Sequence, residues 1–146
     1  MIADVTIEHA QRDLRRAFVG GGPGLAISGI FWLTAGLVAT ARGVAPAFVV
    51  LFVTGMLIFP LATLVCRFAF GRDAPAADNP MGRIALESTL AMLSGLVVAW
   101  LLLPLRPDWA FPLSAFAVGT HFFAFRPAYG DVTFWLRRIV DPSGLA

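Results

Sequence analysis

Lysine is absent from this chain: all eleven basic residues are arginine. Without an ε-amine no Schiff base forms, which excludes a retinal-type pump. The single cysteine, Cys66, excludes an intrachain disulfide and lies in an apolar run, where it acts as a small hydrophobe. Histidine occurs only as His9 and His121, and no HExxH, His/Asp/Glu metal set or Ser-His-Asp set can be assembled. No cofactor or metal site is evident, and an enzyme is not the first expectation. Charge is scarce as well, at 14% of residues, where a soluble domain carries about 25%. The net charge of +2 is spread over short clusters with no contiguous basic face, so nucleic acid is not an expected partner.

What is present is apolar: 58% of the 146 residues are hydrophobic, with a mean hydropathy of +0.79. So little polar surface cannot cover a body in water, and the deficit disappears if lipid takes the place of water. Between charges the chain runs free from Ala17 to Ala41 (25 residues), Gly43 to Cys66 (24), Ser88 to Leu105 (18) and Trp109 to Phe125 (17). A hydrocarbon core about 30 Å thick takes roughly 20 helical residues. The expected fold is an all-α integral membrane bundle in one domain, 1–146, with transmembrane helices at 23–41, 46–70, 80–103 and 109–126. The alternative is three spans and a re-entrant fourth segment, because the last run is the shortest and contains His121. Asn79 reads as the cap of the third helix, with Pro80 at its first position.

Both flanks are amphipathic. Ala3, Ile7, Ala10, Leu14 and Phe18 recur at helical spacing, opposite Asp4, Glu8, Arg12 and Arg15, and predict a surface helix over 1–19. Tyr129, Val132, Leu136 and Ile139 predict an interfacial helix over 128–140. No cleavable secretory signal is expected, since acidic and basic residues fill the first sixteen positions. Nine arginines lie in the first segment, around the middle loop and in the tail, against Arg42 and Arg106 in the other two loops. The positive-inside rule then places both termini in the cytoplasm. Trp32–Val38 and Ala91–Val97 are faintly alike, as are the settings of Gly55 and Gly119, which suggests two similar hairpins.

Several residues are candidates for function. Arg83, Glu87, Ala91, Gly95 and Ala99 recur every four residues, so Ala91, Gly95 and Ala99 form a small-residue stripe for close helix packing. Glu87 is costly in hydrocarbon unless paired, and Arg83 one turn away is the expected partner. His121 and Arg67 are expected at a similar depth, completing a ligand-binding or proton-linked cluster or, in the plainer reading, a structural ion pair. Pro60 is expected to kink the second helix. Arg15, Arg16 and the glycine run with Gly21 and Gly22 are candidates for a lipid headgroup, the glycines alternatively for a hinge.

The segments Ala10–Phe18, Gly20–Gly24, Gly55–Pro60 and Asp78–Thr89 together resemble a family of small bacterial multi-pass membrane proteins without an assigned activity. The resemblance implies a bacterial inner-membrane setting, transfers no catalytic residue, and suggests that Arg83 and Glu87 belong to a shared pattern. It also implies a more apolar C-terminal segment, which Asp131, Arg137, Arg138 and Asp141 interrupt here. The leading functional expectation is binding or translocation of a small solute, ion or lipid by a homo-oligomer in the bilayer. The alternatives are a non-catalytic accessory subunit, and an intramembrane lipid enzyme using Glu87 and His121.

Overall fold

A computed structural model describes residues 6–130. Helix α1 (Ile7–Ala17) starts at Thr6, whose hydroxyl accepts from the His9 amide. Glu8 in its first turn and Arg15 and Arg16 in its last complement the helix dipole. The chain then reverses through Val19, Gly20 and Gly21, at φ 51°, 64° and 82°. Glycine takes this left-handed region without cost, whereas Val19, β-branched, is strained there.

Helix α2 (Gly22–Arg42) and helix α3 (Val44–Leu64) are separated by Gly43 alone, at φ 88°. Pro60 lies within α3, and beyond it the helix widens into a π turn at Val65–Ala69. Helix α4 (Pro80–Leu102) is capped by Asn79, whose side chain accepts from the Met81 amide at 2.9 Å. A short 3₁₀ turn (Pro107–Trp109) leads to helix α5 (Ala110–Tyr129), closed by Gly130 at φ 65°.

The helices pair as two hairpins, α2 with α3 and α4 with α5. At the Gly43 end, Phe48, Ala99 and Ala110 form one buried cluster, and Trp100 meets Phe48 and Phe52. At the other end, Ala10 and Leu14 of α1 pack on Met81 and Ala128, covering one end of the α4–α5 hairpin. Outward faces carry large bare side chains, among them Leu33 (72% exposed), Leu101 (66%) and Phe123 (77%). Apolar surface on that scale is stable in lipid rather than in water.

Three helical stretches are long and apolar enough to cross a membrane: Val19–Arg42, Val44–Ala69 and Pro80–Leu102. The fourth expected span, 109–126, is a continuous helix, α5, but is not among the three. Ser114, Thr120, His121 and Arg126 lower its apolarity. The first three are partly satisfied within the hairpin, which explains why the segment is helical while its composition is borderline. The surface helix expected over 1–19 is shorter in the described chain. The interfacial segment expected over 128–140 starts inside α5 at Ala128 and Tyr129, and beyond Gly130 lies outside the described residues.

Candidate functional site

The polar groups of α1 form a latch against the ends of α4 and α5. The buried Asn79 amide donates to the Ala10 carbonyl at 2.9 Å and to Asp13 Oδ2 at 3.0 Å. The same carboxylate oxygen accepts from the Ala76 amide at 2.9 Å, and Arg16 stands 3.6 Å from Oδ1. The Ala76 amide foremost, aided by Asn79 and Arg16, holds the Asp13 carboxyl below its usual range. On the other flank of α1, Gln11 donates to the Pro127 carbonyl at 2.8 Å and Arg15 donates to the Tyr129 carbonyl. Pro127 and Tyr129 end α5, so these donors satisfy carbonyls that the helix leaves unpaired.

Two shallow clefts flank this latch. One, of about 270 Å³, is lined by His9, Arg12, Asp13 and Arg16; the other, of about 120 Å³, is bordered by His9, Asp13, Asp78 and Asn79. The first cleft is lined by α1 alone, and the docking of α1 beside Asp78 brings His9 to the second. Among the described residues no three His, Cys, Asp or Glu side chains converge on a metal position.

Of the residues expected at a headgroup site, Arg15 is engaged at the end of α5 and Arg16 leans on Asp13. Gly21 receives the Tyr129 ring 3.7 Å from where a Cβ would stand, and Gly22 opens α2 facing empty space. The glycine run carries the chain from α1 into α2 through the left-handed turn at Gly20 and Gly21.

Of the four residues expected to cluster, His121 has a polar partner and Glu87, Arg83 and Arg67 stand apart. Ser88 Oγ of α4 lies 2.8 Å from His121 Nδ1 and 3.2 Å from the His121 carbonyl, binding α4 to α5. A hydroxyl with one proton satisfies one ring nitrogen only, so His121 Nε2 is left for another partner. The His121 ring also stands edge-on to Phe125 at 4.6 Å.

Glu87 is exposed on the neighbouring position of α4. Among the described residues the ion pairs are Glu8–Arg12, Asp13–Arg16 and Arg106–Asp108; none includes Glu87, Arg83 or His121. Arg83 is exposed one turn before Glu87. Arg67 is exposed in the π turn, with its guanidinium 6.0 Å from the Phe68 ring. The expected four-residue cluster is thus not assembled within one chain. Ser88, which the sequence reading passed over, is the residue that meets His121.

The small-residue stripe serves the hairpin. A Cβ on Gly95 would stand 2.7 Å from that of Ala117, and Ala99 is fully buried against Phe48 and Ala110. Ala91 is exposed. Gly36, the counterpart of Gly95 in the faint repeat, faces open space, so the two hairpins do not share this contact.

At the opposite end, Arg106 holds Asp108 through two hydrogen bonds of 3.1 and 2.8 Å and lies over Trp109. That grip lowers the Asp108 carboxyl below its ordinary range and raises the guanidinium.

The chain matches no curated protein and no solved structure. Residues 7–142, nearly the whole length and all five helices, match one family description, and the chain belongs to that family of unknown function, DUF7010.

Proposed function

We propose that this chain is a multi-pass protein of the bacterial inner membrane that binds or passes a small ion or polar solute at an interface between copies of itself. Glu87 carries the reading. It lies seven residues past Pro80, about 10 Å along α4, exposed and without an ion-pair partner among the described residues. A lone carboxylate facing hydrocarbon costs about 2.5–3.5 kcal/mol, a cost that water, a cation or a second chain removes. The Ser88–His121 pair, at the adjacent position of α4, offers a ring nitrogen without a hydrogen-bond partner among the described residues near the same level. Four narrow helices enclose little volume, and both clefts described lie at α1, so a pathway between copies suits the geometry better than one within a chain.

Four spans and cytoplasmic termini are part of this proposal. Helix α5 is 20 residues long and packs along α4, which supports it as the fourth crossing despite its polar residues. The nine-to-two arginine distribution supports the orientation. The accessory-subunit reading draws less on the small-residue stripe, since Gly95 and Ala99 are engaged within the chain and Ala91 alone is exposed. The lipid-enzyme reading required Glu87 and His121 together, and they share no ion pair or hydrogen bond.

The test is flux. Vesicles containing the purified protein and a pH-sensitive dye are expected to lose an imposed proton, potassium or sodium gradient faster than empty vesicles. Glu87→Gln is expected to return the rate to that of empty vesicles with the helix content unchanged. Wild-type protein that speeds none of these gradients, nor the exchange of chloride, overturns the reading.

A further inference from the structure

On α4 the residues Arg83, Glu87, Leu90, Ser94, Val97 and Leu101 are all exposed. Their spacing alternates four and three, the repeat that keeps one seam of a helix facing a parallel partner. At about 100° per residue these positions stay within one narrow strip. Ser88, Gly95, Leu96 and Ala99, through which α4 packs inside its own chain, lie on the opposite side of the helix axis. The strip is graded: two opposite charges at the α1 end, a hydroxyl in the middle, and aliphatic side chains beyond.

We infer that this strip is where two copies of the chain meet, α4 against α4, with each Glu87 paired to the second copy's Arg83. The charge pattern identifies the occupant. Copies inserted in the same orientation are related by a two-fold axis along the membrane normal, so any contact is made twice with roles exchanged. Around that axis a strip carrying one acid and one base a turn apart is its own complement: Glu87 meets Arg83 and Arg83 meets Glu87. Lipid tails offer no such match, and a partner carrying one charge sign satisfies only half of it. Ser94, whose hydroxyl is turned onto the Leu90 carbonyl at 3.1 Å, presents a small surface at the crossing and lets the backbones approach. This inference deepens the interface reading given above by naming the face and the partner.

The test uses the full chain in phosphatidylethanolamine–phosphatidylglycerol vesicles, with two affinity tags. Glu87→Arg and Arg83→Glu are each expected to weaken self-association about tenfold, because like charges then face each other. Mixing the two variants restores both opposite-charge pairs between chains while leaving like charges within each chain. Co-capture of the mixed pair is therefore expected at wild-type level. A mixed pair that associates no better than either variant alone overturns the inference.

In a Cys66→Ser background, Ser94→Cys and Val97→Cys are expected to form oxidised dimers and Leu33→Cys, equally lipid-facing on α2, is not. Cross-linking at Leu33→Cys as strong as on α4, or wild-type chains that remain monomeric in the vesicles, also overturns it. Dimers without flux sink only the transport reading; flux by a monomer sinks this inference and the interface placement while leaving transport itself standing.

Discussion

At Gly95 one hydrogen atom sets the distance between two helices. A methyl group there would lie 2.7 Å from the Ala117 methyl, so Gly95→Ala is expected to push α4 from α5 and destabilise the hairpin by about 1–3 kcal/mol. Denaturation by increasing SDS fraction measures it, and Ala91→Val on the exposed side of the same stripe is expected to be silent. Asp13 sets a second, pH-dependent expectation. Its carboxyl titrates below the ordinary 3.8 in the folded chain, so its contribution is complete at neutral pH. That contribution fades as pH drops below 3.8 and is gone once the folded-state value is passed. Hydrogen exchange of the α1 amides at pH 6 and pH 3 checks this, with Asp13→Asn expected to flatten the difference. The four-residue spacing of Ala91, Gly95 and Ala99 was legible in the sequence as a packing surface, but which helix it meets was not. Spacing describes one helix, and the register of α4 against α5 depends on the turn at Pro104–Trp109. The Arg83–Glu87 pair was expected from the same spacing. Within the chain that pair does not form among the described residues, because spacing on one helix brings two side chains to the same face without fixing which partner each one meets.

Helix α1 is held by hydrogen bonds to elements far away in sequence, so its docking is separable from its folding. Arg15→Ala removes the donor to the last carbonyl of α5 and is expected to release α1 while the hairpins persist. Trypsin cleavage after Arg12 and Arg16 is the measurement, with the released helix cut several-fold faster. The glycine turn makes a parallel prediction. Gly21 sits at φ 82°, where an alanine is strained by about 1–2 kcal/mol, so Gly21→Ala is expected to lower thermal stability and loosen α1. The helices themselves were legible from uncharged runs, and the Asn79 cap from its place before Pro80. The further bonds of Asn79 to Ala10 and Asp13 were not, because nothing local marks a cap that also grips a distant helix. The π turn at Val65–Ala69 has no local signature either.

The whole molecule is two hairpins joined at their ends, with apolar flanks that need lipid. Alkaline extraction is expected to leave the chain in the membrane fraction. Reporters fused at each terminus are expected on the same, cytoplasmic side, an even number of crossings; opposite sides would reduce the count to three. The membrane setting was legible from composition alone, because burial in lipid is a statement about totals. The mutual placement of the hairpins was not legible, since apolar faces of similar chemistry satisfy one another in many arrangements. That is also why His9, one of many polar residues on its own helix, gave no hint that Asp78 would stand across a cleft from it.

The bond from Arg15 to the Tyr129 carbonyl spans 114 residues, and it imposes an order on biosynthesis. At about 5–20 residues per second, α1 leaves the ribosome roughly ten seconds before the carbonyl it will cap exists. During that interval its apolar face has no protein to cover it, and the membrane surface is the nearest shelter. The half of the latch made to Asn79 and Ala76 can therefore close first, and the half made to Pro127 and Tyr129 closes only after α5 has been synthesised.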